Sequence, residues 1–386
     1  MKRMLWVLLI MSVGATYTSP LFPLYQEHFQ LSSLGITLLF AAYAVCLLPT
    51  LLIVGSKSKG WGFRRVLMVS IILSIAATVL FLTAVQPWMI YLGRMLEGVA
   101  YGAFTGCAAA FLFIQTPSEQ RGTALTLSGI TISMGFGLGP AISGLMIEYS
   151  NYEPLHLPFV ILSVLLISAL VVLFTLSEDA EAQQGRNTSR VTLGIPKEIA
   201  PHFRSLIGLS IFMVFTLNGI VLSLIPSFTK NVIHSSNLSI SGLLILLLLG
   251  GGAMTQLIRS PQDNVTRIRI GLILLLTGSC ITVLSGETSQ LALLWTGIFI
   301  QAIGSGWTFQ VSLKLAGSMP KPEERAQVIS SYYLFAYSGF IVPIVGVGGL
   351  TFFFSLNTAL IILNALGALT ILYILMYSVR FRKIYN

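Results

Sequence analysis

Charge is scarce in this chain: Asp, Glu, Lys and Arg together make up 9% of its 386 residues, against 55% apolar ones. A water-soluble domain of that length could not cover its surface with so few polar groups, so a soluble globular fold is excluded. Cysteine is scarcer still. Cys46, Cys107 and Cys280 each fall inside an apolar run, which leaves neither a disulfide framework nor a thiolate metal site. The four histidines, His28, His156, His202 and His234, sit in or beside loops, where a metal or catalytic cluster is hard to build. A glycine-rich loop ending in Gly-Lys-Ser/Thr is missing, so no ATP site is expected. No apolar run carries a Gly-x-Ser-x-Gly phrase or a His–Asp pair, which leaves a membrane protease or acyltransferase without its machinery. The sequence thus implies no cofactor, no metal and no enzyme.

What is present is apolar length. The mean hydropathy is +0.87, and a bilayer core needs roughly 20 apolar residues per helix. On that measure the spans cover 4–25, 34–55, 65–85, 88–114, 124–147, 157–176, 206–228, 241–258, 268–286, 290–314, 327–353 and 357–379. The expected fold class is an all-α membrane protein with twelve transmembrane helices. Met1-Lys2-Arg3 before the first run mimics a secretory signal, but it reads as an uncleaved first span because many spans follow. With both termini cytoplasmic, nearly all basic loop residues face inward, and Lys230 is the exception. Glu27, Glu148, Glu153 and Glu287 then lie outside. The net charge of +9 is therefore a signature of orientation in a lipid bilayer and not a nucleic-acid footprint.

The longest polar stretch divides the chain. Residues 1–176 are expected to form one six-helix bundle, 177–205 a cytoplasmic linker, and 206–386 a second bundle. The halves repeat weakly. Pro23-Leu24-Tyr25 matches Pro226-Ser227-Phe228, and Pro117-Ser118-Glu119-Gln120-Arg121 matches Pro322-Glu323-Glu324-Arg325. Each arginine is followed by a glycine, Gly135 or Gly339, and then by a proline, Pro140 or Pro343. Parallel six-helix halves of this kind are a transporter architecture.

Three phrases carry a family resemblance. Between spans two and three stand Gly55, Gly62, Arg64 and Arg65, with Lys59 where an aspartate is usual. Span four carries Arg94-Met95-Leu96-Glu97-Gly98. Span five carries Gly135-Phe136-Gly137-Leu138-Gly139-Pro140-Ala141-Ile142-Ser143-Gly144. In order and spacing these resemble the gating motif, the proton-coupling motif and the antiporter motif of the major facilitator superfamily, drug/proton antiporter branch. The resemblance implies two pseudo-symmetric six-helix bundles, a solute site at mid-membrane, a monomer, and a cell-membrane location. In that family the aspartate faces the start of span eleven. Lys59 or Lys57 is expected to meet Glu323 and Glu324 instead, as a reversed-charge latch. A degenerate motif with a weaker gating contact is the plainer reading of the same residues.

Arg94 and Glu97 stand one helical turn apart and share a face. A guanidinium inside a span is costly unless paired or hydrated, so the pair is expected to serve a purpose. Pairing favours the ionised carboxyl and dry burial favours the protonated one. Glu97 is thereby a candidate proton carrier, tuned by Arg94. A static ion pair holding span four is the alternative. The stripe Gly98, Gly102, Ala103 and Gly106 reads as close helix packing. Tyr17, Tyr101, Asn218, Gln301, Trp307 and Tyr337 are the expected cavity residues, and Gln301 holds in span ten the place of Glu97 in span four. Small amphipathic or lipophilic solutes and protons are the expected partners, with proton-driven efflux as the function. A sugar or metabolite carrier of the same superfamily, or a transport-dead sensor that keeps the fold, are the alternatives.

Overall fold

Proline and glycine set where these apolar segments bend. In the computed structural model, which describes residues 1–150, 153–176, 193–235, 237–258, 262–321 and 324–385, every regular element is helical. The first span is broken: α1 (Lys2–Thr16) gives way to a 3-10 turn at Ser19–Leu21 and then to α2 (Phe22–His28). Pro20 and Pro23 stand second in these two pieces, within the first turn, where a missing N–H costs little. There follow α3 (Ser33–Trp61), α4 (Phe63–Leu82), α5 (Pro87–Ile114), α6 (Arg121–Tyr149) and α7 (Leu157–Phe174). The later elements are α8 (Ala200–His202), a π-helical turn at Phe203–Gly208, α9 (Leu209–Asn231), α10 (Ser239–Thr255), α11 (Asn264–Thr288), α12 (Leu291–Ser318), α13 (Arg325–Leu350) and α14 (Leu356–Tyr385).

Eleven segments among the described residues are long and apolar enough to cross a membrane. The remaining expected span, placed by sequence at 241–258, is α10, an apolar helix of 17 residues. At 1.5 Å per residue it extends about 25 Å, short of the roughly 30 Å bilayer core. Its exit is tied down by side chains. Trp307 Nε1 donates to the Thr255 carbonyl at 3.3 Å, Gln310 Nε2 to that of Gln256 at 2.7 Å, and Arg267 Nη2 to that of Ile258 at 3.1 Å. In lipid every such carbonyl needs a partner from the protein.

The chain divides into two compact units. The first comprises Met1–Leu31, Leu39–Val191 and Leu238–Leu246; the second comprises Ser32–Leu38, Thr192–Asn237 and Leu247–Asn386. In the first, α1 packs on α6 and α4 on α5; in the second, α9 packs on α13 and α11 on α12. Proline removes the donor for the carbonyl four residues back. In α6, Pro140 frees the Phe136 carbonyl, and Thr16 Oγ1 of α1 donates to it at 2.8 Å. In α13, Pro343 frees the Gly339 carbonyl, and Thr216 Oγ1 of α9 donates to it at 3.2 Å. The same repair occurs in both units.

Of the expected linker, 177–192 lies outside the described residues. Its last part belongs to the second unit's packing. Gly194 N–H donates to Ser331 Oγ of α13 at 3.1 Å, and Ile195 and Ile199 lie against the core formed by Phe203, Leu206, Ile207 and Tyr332.

Candidate functional site

One helical turn on α5 carries the most costly chemistry in the first unit. Pro87 opens the helix, and counting from it Glu97 lies about 15 Å along the axis, close to half the depth of a bilayer core. Arg94 Nη1 stands 2.6 Å from Glu97 Oε2, and the two residues are only 2% and 3% exposed. The same Nη1 donates to Thr18 Oγ1 at 3.0 Å. The guanidinium carbon lies 4.5 Å from the ring centroid of Tyr43, within range of a cation–π contact. Arg94 is thus held by a carboxylate, a hydroxyl and an aromatic face.

Local structure explains why these groups meet. Thr18 lies in the break between α1 and α2, where Pro20 forces the chain out of the helix. Tyr43 comes from α3, which approaches α5 closely because Gly98 follows the pair. A Cβ at Gly98 would fall on the Tyr43 carbonyl oxygen, and one at Gly102 would meet the Leu47 carbonyl at 2.5 Å. The stripe is therefore a packing surface, as its spacing predicts. A loss of contact there would draw the aromatic face away from Arg94.

Tyr17 and Tyr101, expected to line a cavity, are packed inside the first unit. Tyr17 donates its hydroxyl to Met146 Sδ at 3.3 Å, and the Tyr101 hydroxyl lies 3.4 Å from Ser12 Oγ. In the second unit, Gln301 Nε2 reaches Asn218 Oδ1 at 3.5 Å, an uncharged pair at the place where α5 carries Arg94 and Glu97. Tyr337 belongs to an aromatic group, 5.5 Å from Phe215 and 6.0 Å from Phe340 between ring centroids. Trp307 is not brought to Gln301. It lies under Arg267, 5.4 Å from the guanidinium carbon, at the exit of α10.

The gating phrase shows a definite local role at two positions. Gly62 precedes α4 with φ of 85°, a left-handed conformation that suits glycine. Arg64 donates from Nε to the Leu173 carbonyl at 3.3 Å and from Nη2 to that of Phe174 at 2.7 Å, which caps the last turn of α7. Gly55 lies against Gly106, and Arg65 is exposed. The Lys59 side chain and Glu323 lie outside the described residues, and the latch with them.

The antiporter phrase lies between α1 and α10. A Cβ at Gly135 would stand 2.9 Å from the Leu9 carbonyl, and one at Gly139 would fall on that of Val13. On its other side a Cβ at Gly242 would fall on the Pro140 carbonyl, while one at Gly144 would stand 3.3 Å from that of Leu238. Glu148 Oε2 then accepts from the Leu238 N–H at 2.9 Å, placing a carboxylate at the start of α10.

Sequence reading missed Thr18 and Tyr25. Tyr25 on α2 is fully buried, and its hydroxyl has no hydrogen-bond partner. The signal was available in the Pro20 and Pro23 spacing, which announces a broken helix and hence polar groups turned inward.

The chain shares its fold with known proteins. The family model of the Major Facilitator Superfamily matches residues 4–342. A tetracycline resistance protein, class B, of Escherichia coli is 30% identical over 194 residues, 48% of this chain and 46% of that protein. Multidrug resistance protein 1 of Bacillus subtilis (strain 168) is 24% identical over 254 residues, 65% of this chain and 63% of that one. The match thus spans about half to under two thirds of these relatives. The crystal structure of the nucleoside transporter NupG superposes with a TM-score of 0.76 at 12% identity, covering 97% of this chain and 98% of that one. That of the human organic anion transporter MFSD10 (TETRAN) gives 0.68 at 15% identity, covering 97% of this chain and 98% of that one. At such identities the structures speak to the fold.

Proposed function

Because this chain belongs to the major facilitator superfamily, we propose that it is a proton-coupled exporter of a small amphipathic or lipophilic solute. It works as a secondary transporter and not as an enzyme, with both termini cytoplasmic, in the cell membrane, as a single chain. The observation that carries this reading is the buried pair of Arg94 and Glu97, 2.6 Å apart, supported by Thr18 from the break after α1 and by Tyr43 from α3. A static brace needs only the pair. The extra support lets Arg94 stay satisfied when the carboxyl is neutral, which is what a proton carrier requires.

In this mechanism Glu97 takes a proton as its hydration and pairing change, and loses it in the opposite state. The two six-helix bundles rock about the bound solute. Gly135, Gly139, Pro140 and Gly144 keep the helices close while they slide. Gly55, Gly62, Arg64 and Arg65 hold the cytoplasmic side, with Lys59 in the usual acidic place. Asn218, Gln301 and Tyr337 supply amide and aromatic contacts near the solute path. The names of the tetracycline and multidrug resistance relatives favour efflux of a drug-like solute. The uncharged Gln301–Asn218 pair favours a second reading, a carrier of a polar metabolite such as a sugar.

Inside-out vesicles with an acid interior and a pH-sensitive dye test the proposal. A panel of lipophilic cations, neutral drugs and sugars is added to wild type and to Glu97→Gln. Proton release through wild type, lost in the variant, supports coupling at Glu97. Release that persists in Glu97→Gln would reduce the pair to a structural brace.

A further inference from the structure

We propose that Tyr25 is the positioning residue of the proton site, its hydroxyl becoming the hydrogen-bond partner of the Glu97 carboxyl once that carboxyl is protonated and leaves Arg94. This rests on the reading of Glu97 as the proton carrier. Three observations converge on it. First, the Tyr25 hydroxyl is buried and has no hydrogen-bond partner, and Arg94 Nε shares that condition. A buried hydroxyl left without a protein partner is costly, and a second state of the protein can supply one. Second, the hydroxyl lies within Coulombic reach of both Glu97 and Arg94. It therefore feels the charges of the pair without sharing its hydrogen bonds.

Third, the internal repeat supplies its own control. Pro23-Leu24-Tyr25 corresponds to Pro226-Ser227-Phe228, and Glu97 corresponds to Gln301. Tyr25 and Phe228 are both buried in their units. The ring is kept in each, so the ring is the packing requirement. The hydroxyl is added only in the half that has an ionisable carboxyl. A purely structural tyrosine gives no reason for that correlation.

The step balances simply. A proton bonds to a Glu97 carboxyl oxygen, and the ion pair with Arg94 opens. Tyr25 donates its O–H to the carboxyl's carbonyl oxygen and keeps its own proton throughout. Arg94 retains Thr18 Oγ1 and the Tyr43 ring. When Glu97 loses its proton it returns to Arg94 and the Tyr25 hydroxyl is released. Arg94 from its own helix pairs with the carboxyl, Tyr25 from α2 lies within Coulombic reach of it, and Tyr43 from α3 faces Arg94.

The test is acid-minus-neutral infrared difference spectroscopy of the full chain in lipid, comparing wild type, Glu97→Gln and Tyr25→Phe. Phe228 shows that this fold accepts phenylalanine at such a place. A protonated-carboxyl band is expected in wild type and absent in Glu97→Gln. In Tyr25→Phe that band moves to higher wavenumber, and proton affinity falls about fivefold, the size of one hydrogen bond. If the band is lost in Glu97→Gln but Tyr25→Phe matches wild type in frequency and midpoint, the role of Tyr25 is overturned while Glu97 stands. If Glu97→Gln changes nothing, the proton site lies elsewhere and both ideas fall.

Discussion

The two units share a scaffold and differ in charge. In each, a threonine of the first helix repairs the carbonyl freed by a proline, Thr16 to Phe136 and Thr216 to Gly339. In each, a glycine of the proline helix receives a neighbouring carbonyl, that of Leu9 at Gly135 and that of Phe212 at Gly339. Yet the first unit buries Arg94, Glu97 and Tyr25, where the second has the neutral Gln301 and Asn218 and the bare ring of Phe228. Backbone repair is needed wherever a proline bends a helix in lipid, so it recurs. Charge is costly at that depth and is kept only where it is used. The difference separates what the fold demands from what the transport reaction demands.

That separation can be broken by substitution. The largest difference between the units is expected from Arg94→Leu, which leaves Glu97 buried without its counter-charge and costs about 3–5 kcal/mol. Gln301→Leu removes one weak amide contact and costs about 1 kcal/mol. Thermal unfolding of the full chain in detergent compares them, and equal losses would mean that the charged pair is structurally ordinary. Glycine changes come next. Gly139→Val and Gly339→Val each force a side chain onto a backbone carbonyl, and each is expected to cost about 1–3 kcal/mol. A large asymmetry between them would show that the two proline helices do not bear equal packing roles. The smallest effects belong to Thr16→Val and Thr216→Val, each worth about 0.6–1.7 kcal/mol. Here the units should respond alike. A Thr216→Val loss far below that of Thr16→Val would show that the carbonyl freed by Pro343 finds another partner.

Much of this was legible in the sequence because the bilayer imposes a simple ruler. Among the described residues, eleven long apolar segments and one short helix lie where apolar runs are found, since lipid permits little else. The Arg94–Glu97 pair was legible because both residues sit on one helix, three apart. Thr18 was not, because it reaches Arg94 from a break in another span and no local pattern records which helices meet. Trp307 misled for the same reason. It shares a helix with Gln301, but its ring is taken by Arg267 and its N–H by the exit of α10. The end of α10 was placed three residues late because Leu257 and Ile258 continue the apolar pattern. Hydropathy cannot register that the carbonyls of Gln256 and Ile258 are capped from α12 and α11.

On the proposed function, coupling resides in the charged unit alone. The most direct measurement is solute-driven proton release in inside-out vesicles carrying either Glu97→Gln or Gln301→Leu, with solute flux followed in parallel. The account predicts that Glu97→Gln abolishes proton release while Gln301→Leu keeps the protons per solute and alters only the solute's apparent affinity. Coupling that survives Glu97→Gln, or that is lost in Gln301→Leu, would contradict it.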